Sequence, residues 1–161
     1  MNKKYIKKLE SCFGNAFRHT LWQAMIAKEF GSDIAIEVGN AHESRERTNY
    51  NQKTSLSLNK ADELVDQLNN QIGRSLSSNS LSNSDLARKV LETYVNKGLY
   101  QAVKGTDGKY SVQKVKLNNE LYKITTEKLK KLDQTGAGSK VQKQRQILKE
   151  NTTFPITVGG K

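Results

Sequence analysis

The segment Asn15 to Glu29, NAFRHTLWQAMIAKE, limits the fold more than any other stretch, because apolar residues cover too much of it for an ordinary surface helix. Projected at about 100° per residue, Phe17, Leu21, Trp22, Ala24, Met25, Ile26 and Phe30 spread over roughly two-thirds of the circumference. A helix of that kind needs neighbours on several sides, so the rest of the chain is expected to build around it. Asn15 is its expected N-cap and Gly31 its expected stop. On the same wheel Arg18 falls between Met25 and Trp22, and His19 between Ile26 and Phe30, so both are expected to point inward. A buried Arg keeps its charge, and leaving it unpaired costs on the order of several kcal/mol, so a carboxylate or a cluster of acceptors must meet it.

The only proline is Pro155, and glycines fall between periodic segments, which reads as helices closed by glycine caps. A second helix is expected from Ile34 to about Arg47, capped by Ser32 or Asp33. The polar run TNYNQKTSLSLN is a loop. Asn59 is the expected cap of a third helix, Lys60 to about Leu76, with Leu64, Val65, Leu68, Ile72 and Leu76 as its apolar stripe. SLSSNSLSNS is a linker, after which Ser82 or Ser84 caps a fourth helix closed by Gly98, with Leu86, Val90, Leu91, Tyr94 and Val95 facing the core. Two alternating runs around Asp107-Gly108 predict a small β-hairpin over about 100–115. NNELYKITTEKLKKLD and SKVQKQRQILKE are two further helices separated by TGAGS. The expectation is a mainly α, single-domain helical bundle with that small hairpin. Its parts are a 1–13 extension or linker, a helical domain over 14–150, and an irregular tail over 151–161. Within the domain, a motif-bearing core covers 14–98 and a basic helical part covers 116–150.

Both histidines of the chain fall on the inward sides of the first two helices. His42 lies with Ile34, Ala35 and Val38, and Gly39 one turn back allows close backbone approach. Glu43 sits on the flank of that face. A single inward His is usually a hydrogen-bonded core residue; two of them beside an Arg and a Glu also suit acid–base chemistry or metal ligation. The third helix adds Asp62, Asp66, Asn70 and Arg74 at four-residue steps, with Asn69 and Gly73 alongside. A solvated face would explain such a stripe, but paired Asn residues and a mid-helix Gly, which costs about 1 kcal/mol against Ala, disfavour the helix and so need another reason.

In this order, AFRH…W, GNAHE and D…NN..GR resemble an uncharacterised helical domain at the C-terminal ends of bacterial secreted and polymorphic-toxin proteins, particularly in the Bacteroidetes. The likeness runs from about Gly14 to Arg74. It marks Arg18, His19, Trp22, His42, Glu43, Asp66, Asn69, Asn70, Gly73 and Arg74, and implies a toxin context with a cognate acidic immunity protein but no particular reaction.

Net charge is +11 and the pI about 9.7, so a polyanion is the default partner class. From Tyr100 onward 13 Lys or Arg stand against 5 Asp or Glu. Cys12 is alone, which excludes an intrachain disulfide and a Cys-based zinc site. No apolar run reaches the roughly 18 residues of a membrane span, and the start MNKKYIKKLESC lacks a signal-peptide core, so export by a specialised system or as part of a larger protein is expected. H-E-x-x-H, P-loop, G-x-S-x-G and G-x-G-x-x-G patterns are absent.

The expected function is therefore an antibacterial effector with hydrolase activity on a phosphate-bearing envelope substrate, a phospholipid or lipid-linked wall precursor. His19, His42, Glu43 and Asp66 are the expected catalytic groups. Arg18, Asn69, Asn70 and Arg74 bind the anion or orient the carboxylates. His19, His42 and Asp66 could hold one divalent ion, although nothing in their spacing requires it. The alternatives are a cytosolic nuclease toxin and a non-enzymatic cationic module binding a secretion partner.

Overall fold

A computed structural model describes residues 3–42 and 49–152, with side chains over 13–42 and 49–150. The element order is α1 (Lys3–Phe30), α2 (Ser32–His42), α3 (Leu58–Leu76), α4 (Asn83–Asn96), β1 (Leu99–Lys104), β2 (Tyr110–Val115), α5 (Asn119–Leu129) and α6 (Ser139–Thr152). The fold is mainly α with one antiparallel two-stranded hairpin, as the periodicities predict. Among the described residues no helix is long and apolar enough to cross a membrane.

α1 is the hub, touching α2, α3, α4 and β1. Its fully buried stripe is Ala16, Thr20, Gln23, Ala24 and Ala27, small or polar residues at heptad-like spacing, whereas Leu21, Trp22, Met25 and Ile26 are only half-buried and Phe30 is 65% exposed. Close crossing explains the choice. Gly73 of α3 lies so near α1 that a Cβ there would stand 2.2 Å from the Thr20 carbonyl oxygen, and only small side chains fit along that line. The wheel, which weights large apolar residues, therefore misplaces the core side. Arg18 is exposed, not inward, and Ile34 of α2 is 50% exposed while Ala35 and Gly39 are buried.

Two helix starts also differ from expectation. Asn15 lies inside α1, which runs unbroken from Lys3, and its side chain makes a tertiary contact described below. α3 is capped by Ser57, whose hydroxyl accepts from the Lys60 N–H at 3.4 Å, so the helix begins ahead of Asn59. α4 starts after the Ser82 cap and is closed by Gly98, whose N–H donates to the Thr93 and Tyr94 carbonyls and whose positive φ of 79° turns the chain away from the helix. The expected end of the second helix near Arg47 and most of the expected tail, residues 153–161, lie outside the described residues.

Two apolar clusters hold the elements. One joins Ala16 of α1, Ala87, Leu91 and Tyr94 of α4, Leu99, Leu117 and Leu129, with Phe13 stacked on Tyr94 at 5.5 Å between ring centroids. The other seats α3 on one face of the hairpin through Leu64, Val65, Leu68 and Val112. α3 is thus enclosed between α1 and the hairpin. That enclosure buries Asn69 and Asn70 of α3 fully, which gives a reason for residues that disfavour the helix, while Asp62 of the same stripe stays exposed.

Candidate active site

α1 and α2 form a helical hairpin about Gly31, which adopts φ 89°. Away from that corner the two helices open into a cleft of about 270 Å³ lined by Arg18, His19, Trp22 and His42. The three rings form an edge-to-face cluster, His19 to His42 at 5.7 Å, Trp22 to His42 at 5.4 Å and His19 to Trp22 at 6.3 Å between centroids. His19 is buried, at 4% exposure, and forms the floor. His42 is exposed; it is turned to the cleft but not enclosed, a correction to the expectation that both histidines lie inward.

Behind His19 stands Asp66 of α3, its Oδ2 3.6 Å from His19 Nε2. Asp66 Oδ1 accepts from Asn15 Nδ2 at 2.9 Å, and Asn15 Oδ1 accepts from Arg18 at 2.6 Å. Among the described residues Arg18 therefore meets no carboxylate directly. Its charge reaches Asp66 through the Asn15 amide, at an exposed position where desolvation is small. Asn15 was not a predicted site residue. The signal lay in the run Asn15, His19, Gln23 at four-residue steps, which places three polar groups on one flank of an otherwise apolar helix.

Burial lowers the His19 imidazole below its ordinary value of 6.5; the Arg18 charge pushes the same way, the Asn70 amide opposes, and His42 adds a further push down. His19 is thus held neutral at neutral pH.

The remaining predicted residues divide by role. Arg74 is half-buried and donates to Gln23 Oε1 at 2.8 Å, so it anchors α3 to α1 and lies outside the cleft lining. Asn70 faces His19 from behind. Neither of its amide atoms, nor Gln23 Nε2, completes a well-aligned hydrogen bond among the described residues. Asn69 is turned to the hairpin instead, where it bonds both backbone groups of Tyr100. It is structural and is not part of the cleft. Glu43 lies outside the described residues, and among those described no three His, Cys, Asp or Glu side chains converge as a metal-binding group. His19, His42 and Asp66 are therefore neighbours without forming a ligand shell.

An arrangement of this kind can move a proton between a bound group and a histidine pair, and can meet an anion with Arg18. No curated protein and no solved structure matches the chain. The profile named Domain of unknown function (DUF6973) matches residues 1–104, a span that contains α1 to α4 and β1 and every side chain of the cleft. The chain belongs to the DUF6973 family, and its candidate site lies wholly inside the family's domain.

Proposed function

We propose that the cleft is an acid–base site that hydrolyses a phosphate ester on an anionic envelope substrate, and that the chain is an antibacterial effector. The observation that carries this reading is the contact between a buried, neutral His19 backed by Asp66 and a solvent-facing His42, with Arg18 on the rim. His19, lowered below its ordinary value, is a neutral imidazole able to accept a proton, and His42 stands against it at the mouth of the cleft. His42 is the member that exchanges a proton with the attacking water or the leaving oxygen. His19 and Asp66 tune and orient it from behind. Arg18 stabilises charge developing on the phosphoryl oxygens, and the +11 chain gathers the anion. Glu43, next to His42 in sequence, is a second candidate base.

The second reading, a cytosolic nuclease, draws on Trp22. Its indole lines the cleft beside His42 and offers a face on which a nucleobase can stack. The test is growth of a bacterial host making the chain in the cytoplasm or, with an added signal peptide, in the periplasm, each beside His42→Ala. Killing only from the periplasm, and only with His42 intact, supports the envelope hydrolase. Killing only from the cytoplasm moves the nuclease to first place. No killing from either side removes the effector reading and leaves a cationic binding module.

A further inference from the structure

The chain treats the two outer edges of its β-hairpin differently. In an antiparallel pair every second residue turns its N–H and C=O away from the partner strand. Tyr100 of β1 is such a residue: its N–H donates to Asn69 Oδ1 at 2.9 Å and its carbonyl accepts from Asn69 Nδ2 at 3.0 Å, so the Asn69 amide imitates a neighbouring strand. On β2, Tyr110 exchanges both backbone groups with Leu56, at 2.9 and 3.0 Å, and the Val112 N–H donates to the Lys53 carbonyl at 2.8 Å. Tyr110 is paired with Lys104 and Val112 with Ala102. Ala102 and Lys104 therefore also face outward, on the β1 side. The β2 edge is covered by residues 53–56. The β1 edge is covered only at Tyr100, and the outward backbone groups of Ala102 and Lys104 meet no partner among the described residues.

Beside that open edge lies a cavity of about 300 Å³ between β1 and the flank of α3, walled by Leu58, Asp62 and Val65 on one side and Tyr100, Ala102 and Lys104 on the other. Gln101 also borders it, yet its side chain is turned to the Tyr94 hydroxyl, so the β1 backbone itself forms that wall. The Asp62 carboxyl makes no ion pair or hydrogen bond among the described residues. Asp62 is exposed at the mouth of the cavity, where partial desolvation raises its pKa above the ordinary 3.8; Lys104 borders the same cavity without pairing with it, so a cation brought beside the carboxyl relieves it. Leu58 and Val65 supply an apolar wall on which the stem of a long basic side chain can lie.

We propose that the β1 edge is a docking site for an extended peptide, which adds a strand at Ala102 and Lys104 and sets a lysine or arginine side chain against Asp62. Backbone pairing supplies sequence-tolerant affinity, and the Asp62 cavity supplies selectivity. The proposal does not draw on the histidine cleft, whose lining shares no residue with this cavity.

The test is an NMR titration of the isotope-labelled full chain with two synthetic probes, acetyl-TVKVT-amide and acetyl-TVEVT-amide. The lysine probe should move the Ala102 and Lys104 amide resonances and bind roughly tenfold more tightly than the glutamate probe. Asp62→Asn should erase that preference while melting at or above the wild-type temperature, since it removes a partly desolvated charge. N-methylation of the lysine probe's pairing amides should abolish the shifts. Absence of shifts at Ala102 and Lys104 with both probes, or a preference that survives in Asp62→Asn, overturns the proposal. Protection of the two amides by concentration-dependent self-association, without peptide, also overturns it and gives the edge to a second copy of the chain.

Discussion

Gly73 of α3 meets the Thr20 carbonyl of α1 with no room between them: a Cβ on residue 73 would stand 2.2 Å from that oxygen and 3.0 Å from Gln23 Cβ. Backbone cannot yield as a flexible side chain can, so Gly73→Ala must part the two helices. Alanine recovers about 1 kcal/mol of helix propensity, but overpacking at a backbone contact costs about 3 kcal/mol, leaving a net loss of about 2 kcal/mol. A thermal melt should fall by about 5 °C for a chain of this size. A variant melting at or above wild type would show that the seam can open without loss.

Asn69 satisfies both backbone groups of Tyr100 from a fully buried position. Asn69→Leu keeps comparable volume but leaves a donor and an acceptor without partners, at about 1–3 kcal/mol each. Urea unfolding should report a loss of about 3 kcal/mol, and the Tyr100 amide should exchange faster with solvent than those of the β1–β2 ladder. Unchanged exchange at Tyr100 would mean that another group takes the place of Asn69.

The sign of the pH dependence follows from His19. Its pKa is lower folded than unfolded, so below 6.5 the unfolded chain binds the proton first and gains on the folded one. Stability contributed by neutral His19 is complete above that value and is lost as pH falls through the lowered folded pKa. Melting temperature should therefore drop as pH falls below 6.5, and His19→Gln should flatten this part of the profile. The same slope in His19→Gln would assign it to other groups.

His42 and His19 should separate function from stability. His42 is exposed, so His42→Ala should shift stability by no more than about 0.5 kcal/mol, while on the proposed function it should lower phosphate-ester hydrolysis by about 10²–10⁴-fold. His19→Ala empties a buried position beside Asp66 and should cost both activity and folding stability. Stability and activity falling together in His42→Ala would point to a structural role for the ring contact.

Much of this architecture is legible in the sequence because its signals are local. The Ser82 and Gly98 caps, the Leu86 to Tyr94 stripe and the Asp107-Gly108 turn each specify their own conformation within a few residues. The site is legible in part. The paired Asn residues and Gly73 flag a special place on α3, where Asn69 and Asn70 are buried while Asp62 is exposed and Asp66 and Arg74 are half-buried, and His19 falls inside as expected. Arg18 and Phe30 are misplaced because a helical wheel assumes that the largest apolar residues choose the buried side, whereas here the close approach at Gly73 selects Ala16, Thr20 and Gln23. Asn15 reads as a cap because its true partner, Asp66, is 51 residues away, and only its four-residue spacing from His19 and Gln23 hints at a tertiary role.

That separation also governs how the protein must come into being. Asn15 to Asp66 and Gln23 to Arg74 each close loops spanning 51 positions, and the neutral floor of the cleft exists only once both are closed. During synthesis α1 and α2 leave the ribosome before α3, so Thr20 and His19 at first lack the Gly73 and Asp66 side that covers them. The cleft is therefore assembled late, when the chain has emerged past Arg74, and a nascent chain halted before that point carries both histidines without their environment.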